Sequence, residues 1–187
     1  MKALFIFMFV AIIASGCVST NSTRGDDMGN GKTIQFDGEG VKLTGTLWNN
    51  PDSTKPALIL VHQLGRDRHS FDSFAETAFA RGYSVLSFDV RGHGESRPNN
   101  LSYLNFKEVD WKKIAGDIQS ARNYLNKEKV PVVGSSIGAN SALNFAAANP
   151  NSCAGMVLLS PGINYRGIDV SESSKTSRSP MLIVASN

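Results

Sequence analysis

Residues 130–138 read Val-Pro-Val-Val-Gly-Ser-Ser-Ile-Gly, and Ala139 to Ala148 follow them before Asn149-Pro150. The first four residues are an apolar run with the composition of a strand. The ten after Gly138 have the composition of a helix, which Asn149-Pro150 ends. Between the two lies Gly134-Ser135-Ser136-Ile137-Gly138, a G-x-S-x-G pattern. A strand that turns abruptly into a helix needs small residues on both sides of the bend. A serine at its centre is then held with its Oγ exposed above the sheet. The start of the helix also favours negative charge developing beside it. Ser136, not Ser135, occupies the central position.

Working outward, Ala57 to Val61 (ALILV) is apolar on both faces, as a central strand of a parallel sheet is. Tyr83 to Phe88, Val130 to Val133, Gly155 to Leu159 and Met181 to Ala185 read as further strands. Helices are expected between them. One runs over Ser70 to Arg81, with Phe71, Phe74, Ala75, Ala78 and Phe79 on its apolar face and Gly82 as its stop. Another starts from Asp110 as N-cap, with Trp111, Ile114, Ala115, Ile118, Ala121 and Leu125 facing the core. Thr33 to Phe36 and Val41 to Trp48, separated by Asp37-Gly38-Glu39-Gly40, read as an antiparallel hairpin that opens the sheet. From Ala57 onward strands alternate with helices, which argues for an α/β fold with a mostly parallel sheet and helices on both faces. In such sheets the chemistry lies at the carboxyl ends of the strands.

Two other strand ends carry informative residues. Ala57 to Val61 runs into His62-Gln63-Leu64-Gly65, and Tyr83 to Phe88 runs into Asp89-Val90-Arg91-Gly92-His93-Gly94-Glu95-Ser96. Together with the elbow at Ser136, these segments resemble the α/β-hydrolase superfamily, over about Thr33 to the C-terminus. The resemblance implies that Ser136 is the nucleophile and that Gly134 and Gly138 shape the elbow. It further implies that the N–H groups of Leu64 and Ile137 form the oxyanion hole. His62 matches a histidine that orients this loop in the family and is not a general base, and Gln63 stands where glycine is commoner. The second segment resembles the D-x-R-G-H-G-x-S loop of superfamily esterases, lipases and serine-aminopeptidase-like members. In it His93 is expected to pack within the loop. His69, just before a helix, is expected at the surface or in a cap.

The N-terminus reads as targeting. Lys2, the apolar run Ala3 to Ile13 and the small residues Ala14-Ser15-Gly16 describe a secretory signal over residues 1–16. The run is too short for the ~20 residues that cross a bilayer. Ala14-Ser15-Gly16-Cys17 resembles the lipobox of prokaryotic lipoproteins, which implies lipidation at Cys17. Residues 17–32 are polar and form a tether, and residues 33–187 form the hydrolase domain. The expected location is the cell envelope, lipid-anchored to a membrane outside the cytoplasm, or else secreted. Cys153, the other cysteine, is expected to be a small half-buried side chain rather than a reactive thiol.

The triad order in this fold is Ser, then Asp or Glu, then His. The last histidine here is His93, before Ser136, and the only later aspartate is Asp169. Met181 to Ala185 is apolar on both faces and so leaves an exposed hydrophobic edge. The sequence is therefore read as C-terminally incomplete, without the last strand and helix. Loss of the triad base costs about 10⁶ in turnover and leaves about 10³–10⁴ over water. The expected activity is hydrolysis of carboxylic esters or related small acyl compounds through an acyl-enzyme on Ser136, nearly absent in the 187-residue chain. The competing readings are a serine-aminopeptidase-like peptidase and a lipid-anchored binding module without turnover. The 20-odd residues from Ser160 to Pro180 are too few for a cap domain, so the site is expected to be open, with Ser160 to Arg166 at its mouth. A net charge of +3 with scattered Lys and Arg gives no reason for a nucleic-acid partner. There is no dinucleotide fingerprint and no metal-ligand spacing, so no cofactor is expected.

Overall fold

Strand β3 (Ala57–Val61) is buried along its whole length, and its side chains alternate between two cores. In the computed structural model, which describes residues 31–185, Ala57, Ile59 and Val61 point into one apolar cluster and Leu58 and Leu60 into another. A strand wedged between two helical layers favours a near-continuous apolar run, which is what ALILV supplies.

The remaining strands are β1 (Lys32–Asp37), β2 (Lys42–Trp48), β4 (Ser84–Phe88), β5 (Val130–Ser135), β6 (Cys153–Leu159), β7 (Asn164–Tyr165), β8 (Ile168–Asp169) and β9 (Met181–Val184). Seven of them form one sheet in the order β1-β2-β4-β3-β5-β6-β9. β1 and β2 form an antiparallel hairpin that joins β4 antiparallel, and every other neighbour is parallel. Pro131 sits inside β5, where it cannot donate to the ladder. The register slips between Val130 and Pro131 to accommodate it.

Five helices are described: α1 (Asp72–Ala80), α2 (Glu108–Lys112), α3 (Ile114–Tyr124), α4 (Ile137–Ala148) and α5 (Ser173–Thr176). α1 packs Ala75 and Ala78 on one face of the sheet, with Leu58, Leu60 and Val85. α3 and α4 pack on the other, through Ile114, Ile118, Ala121, Ala142, Phe145 and Ala146. The mixed sheet with helices on both faces agrees with the expectation. Strand order reverses at β3, because the chain leaves it through α1 to β4 on one side and later returns to β5 on the other. The ends of β3 and β5 therefore border a crevice of the kind that holds ligands in open α/β sheets.

Three details depart from the sequence reading. Asp110 does not cap a helix. Lys107 is the N-cap residue of α2, and the Asp110 carboxylate, one turn in, accepts a hydrogen bond from the Lys107 N–H at 3.0 Å. An acid three residues inside the helix satisfies an orphan donor as an N-cap side chain does, and this makes the two positions hard to tell apart in sequence. The helix expected from Ser70 begins instead as a 3₁₀ turn at Arg68–Phe71. The Ser160–Pro180 connection is not bare loop: it holds the β7–β8 hairpin and α5. The expected signal over residues 1–16, Cys17 and nearly all of the expected tether lie outside the described residues.

β9 forms one edge of the sheet, and Met181, Leu182, Ile183 and Val184 are 38–59% exposed. Leu182 borders a 590 Å³ apolar groove that Phe74 of α1 also lines, toward the amino ends of the parallel strands. An exposed apolar edge invites pairing with another chain. Leu182→Lys is expected to shift unfolding free energy by no more than about 0.5 kcal/mol, as exposed substitutions do, while lowering self-association in light scattering. Undiminished association would place the adhesive surface elsewhere.

Candidate active site

The bend between β5 and α4 is built on two glycines. A Cβ on Gly134 would lie 2.3 Å from the Gly138 carbonyl oxygen, and one on Gly138 would lie 2.3 Å from the Val61 carbonyl oxygen. Both contacts are with backbone and cannot be relieved by rotating a side chain. The glycines thus let the first turn of α4 close onto the ends of both β5 and β3. Ser136 takes up the bend at φ 51° and ψ −114°, a region that non-glycine residues enter only when the surroundings enforce it. The Ser136 N–H donates to the Leu159 carbonyl at 2.9 Å, and its own carbonyl accepts from Asn140 at 3.1 Å. The residue is half-buried. Among the described residues its Oγ has no hydrogen-bond partner.

Ile137, the first residue of α4, is buried, and Leu64 packs against the main core from the loop after β3. Neither N–H finds an acceptor among the described residues. That freedom is normal for the first turn of a helix. For Leu64 it reflects a tight turn in which Arg66 N–H donates to the Gln63 carbonyl at 3.3 Å. Gly65, not position 63, takes the left-handed conformation of that turn, at φ 71°. A glutamine at 63 is therefore compatible with the loop.

His62 is fully buried, and both of its ring nitrogens are occupied. Val90 N–H donates to Nε2 at 2.9 Å, which leaves the proton on Nδ1 to donate to the Gln63 carbonyl at 2.8 Å. Burial lowers its pKa, against the pull of the Gln63 carbonyl and Asp89. It braces the loop and has no lone pair free to take a proton from Ser136. His93 is also buried and stacks on Tyr103 with ring centroids 4.1 Å apart. Its Nδ1 donates to the Arg91 carbonyl at 3.0 Å, its Nε2 has no partner among the described residues, and burial pushes its pKa down to about 4. His69 is exposed beside Asp72. Cys153 is buried, and burial raises its thiol pKa, so it lacks thiolate character.

The segment Asp89–Ser96 acts as an anchor block, a role that its sequence alone does not disclose. Asp89, fully buried, accepts from the Arg68 N–H, the Arg68 guanidinium and the Glu95 N–H. Its carboxylate fills the space that a Cβ on Gly94 would occupy. Arg91 makes a two-pronged ion pair with buried Asp117 of α3, with both contacts at 2.6 Å. Burial nonetheless pushes the Asp117 carboxyl upward. Ser96 Oγ accepts from Thr44 N–H of β2 at 2.9 Å.

Asp169 does not approach the elbow. Its exposed carboxylate accepts from Ser171 N–H at 2.8 Å and Asn164 Nδ2 at 3.2 Å, and those bonds hold its pKa low. Its carbonyl accepts from Asn144, eight positions beyond Ser136 and so about 12 Å along the helix. Sequence reasoning missed Asn140. Buried one turn after Ser136, it donates to the Ile168 carbonyl at 2.9 Å and accepts from Gly162 N–H at 3.1 Å, tying the segment after β6 to α4. A polar residue on the buried face of an otherwise apolar helix is the signal that could have found it. Among the described residues no three His, Cys, Asp or Glu side chains converge on a metal position.

A family model described as alpha/beta hydrolase fold matches residues 56–181, and the chain belongs to that family. It is 29% identical over 129 residues to epoxide hydrolase B of Mycobacterium tuberculosis, covering 69% of this chain and 35% of that protein. It is 26% identical over 117 residues to a monoglyceride lipase homolog of Monkeypox virus, covering 63% of this chain and 42% of the relative. The chain thus spans less than half the length of either. In fold it is similar to the crystal structure of epoxide hydrolase A from Mycobacterium thermoresistibile, with a TM-score of 0.60 and 21% identity over 70% of this chain and 39% of that one.

The two buried histidines give the site a defined response to acid. Their folded-state pKa values lie below the ordinary value of about 6.5, so the unfolded chain binds more protons than the native one as the pH falls below that value. Their contribution to stability is complete above pH ~6.5 and is lost toward the folded value, about 4 for His93. The slope reaches at most about 1.4 kcal/mol per pH unit for each histidine. His93→Phe keeps the stack on Tyr103 but takes up no proton. Urea midpoints measured from pH 7 to 5 are expected to fall less steeply in this variant than in the parent. Equal slopes would remove His93 from the account.

Proposed function

We propose that the chain carries the nucleophile and oxyanion-binding half of a serine hydrolase site acting on carboxylic esters or related acyl compounds. The observation that carries this reading is the strained Ser136 at the head of α4: among the described residues its Oγ has no hydrogen-bond partner, and the N–H groups of Ile137 next to it and of Leu64 in the loop after β3 have no acceptor. Such donors stabilise the charge that develops on a carbonyl oxygen under attack. The names of the relatives offer two chemistries, ester and epoxide hydrolysis. Serine attack on an acyl carbon gives an ester that water can cleave, and the cycle closes. Serine attack on an epoxide carbon would give an ether, which water does not cleave, and the enzyme would be spent after one event. A serine at the elbow therefore favours the acyl substrate.

Among the described residues no histidine is placed to act as the base. His62 and His93 are buried in other bonds, and His69 is at the surface beside Asp72. Turnover by this chain is accordingly expected to fall about 10⁶ below that of a complete triad. An added base should restore part of it. Imidazole is expected to accelerate p-nitrophenyl acetate hydrolysis and fluorophosphonate labelling in proportion to its concentration, and Ser136→Ala should abolish the imidazole-dependent part. Acceleration that persists in Ser136→Ala would refute the assignment. A second reading, a binding module without turnover, predicts no imidazole effect at all.

From the sequence around Cys17 we further propose a lipid anchor that places the domain in the cell envelope. In a bacterial host, Cys17→Ser should move the protein from the membrane to the soluble fraction and remove an acyl-glyceryl mass from its N-terminal peptide. Unchanged fractionation and mass would overturn the proposal.

A further inference from the structure

The loop that carries the Leu64 N–H has an exposed crest at Gly65 and Arg66 and two buried ends at His62 and Arg68. Both ends are pinned to consecutive residues after β4. His62 Nε2 accepts from Val90 N–H at 2.9 Å. The Arg68 N–H donates to Asp89 Oδ1 at 2.7 Å, and its guanidinium Nη1 donates to Oδ2 at 2.5 Å. Three more bonds fix the same arginine. Its Nε donates to Thr46 Oγ1 at 3.1 Å, its Nη2 to Glu95 Oε1 at 2.7 Å, and its carbonyl accepts from Ser87 Oγ at 2.7 Å. The His62 pin matches the loop-orienting histidine of the family. The Arg68 pin is a separate construction. A guanidinium only 5% exposed against a fully buried carboxylate is a costly way to hold a loop. Its planar fork fixes direction as well as distance, which a lysine does not.

We propose that Arg68, held by Asp89, is a positioning residue that sets the Leu64 N–H relative to Ser136, so that the two backbone donors converge on one oxygen. The proposal rests on the reading of Ser136 as nucleophile. The geometry gives it a specific form. On the α4 side, the Ile137 N–H is fixed by the Gly138 contact with the end of β3 and does not depend on Arg68. On the loop side, the Leu64 N–H sits between the two pins, with only the turn at Gln63–Arg66 between them. Releasing Arg68 frees one end of the loop and leaves the elbow intact. The two donors therefore respond differently to the same substitution.

Amide exchange in the ¹⁵N-labelled 187-residue chain separates them. The chain is phosphonylated by long incubation with a fluorophosphonate and imidazole, so that a slow reaction still reaches completion. In the parent adduct, exchange at Leu64 and at Ile137 is expected to slow at least about tenfold relative to the free chain, because both N–H groups now donate to the phosphonyl oxygen. In Arg68→Met/Asp89→Asn, which leaves no uncompensated buried carboxylate, Ile137 keeps its protection and Leu64 loses it. Unchanged exchange in α4 and β5 shows that the double variant is folded. Arg68→Lys, which retains the charge, serves as a second variant and is expected to protect Leu64 partially. Equal protection of Leu64 in parent and variants would overturn the positioning role while leaving the nucleophile reading in place. No adduct on Ser136, or an adduct that protects neither amide in the parent, would overturn the nucleophile reading and the positioning role with it.

Discussion

The site depends on one close approach: the first turn of α4 touches the carbonyl end of β3 with nothing between them. Gly138 against Val61 and Gly134 against Gly138 are backbone contacts that a single methyl group would prevent. The consequences run in both directions along the chain. Toward the C-terminus, the approach forces Ser136 into its positive-φ conformation and aims the head of α4, with its unsatisfied N–H groups, at the crevice. Toward the N-terminus, it brings the loop after β3 alongside that head. Strand order reverses at β3, so the loops after β3 and β5 diverge to opposite faces and leave the space between them open.

The second constraint is electrostatic. Two ion pairs, Arg68–Asp89 and Arg91–Asp117, have side chains no more than 5% exposed, and both draw on the segment after β4. Buried pairs of this kind seldom add net stability over apolar replacements, but breaking one leaves an uncompensated charge. What they add is a fixed arrangement. Asp89 ties the loop after β3 to the sheet, and Arg91 ties α3 and the β1–β2 turn through Asp117 and the Glu39 carbonyl. Ser96 ties β2. One octapeptide thus locks four neighbouring elements around the crevice.

Much of this was legible in the sequence, for identifiable reasons. The elbow is readable because its close backbone contacts demand glycine at two fixed positions around one residue. β3 is readable because burial on both faces has left it apolar at every position, whereas β4 is equally buried and still admits Ser84 and Ser87 through hydrogen bonds. The antiparallel hairpin and the structural rather than catalytic use of His62 also follow the sequence reading. What was hidden lies in side chains whose partners are distant along the chain. Arg68 looks like a surface arginine until the fold brings Asp89 to it, 21 positions away. Asn140 looks like a neutral interruption in an alanine-rich helix until Gly162 and Ile168 fold back onto it. The Asp110 misassignment has a different origin, since an acid in the first turn and an acid at the cap answer the same unsatisfied N–H groups.

The two halves of acyl-transfer chemistry make different demands on a fold. A general base is a side chain that must reach the nucleophile from elsewhere in the chain, so its presence depends on distant sequence. The oxyanion donors proposed at Leu64 and Ile137 are backbone groups, and their positions follow from the elements that carry them. Once β3, β5 and α4 have folded and the loop after β3 is pinned, the proposed donor geometry exists whether or not a base does. Stabilisation of a tetrahedral adduct and rate of turnover are then separable properties. A domain with the first and little of the second would hold such adducts firmly, form them slowly and owe its affinity to the glycine contacts that close α4 onto β3 together with the bonds that pin the loop after β3.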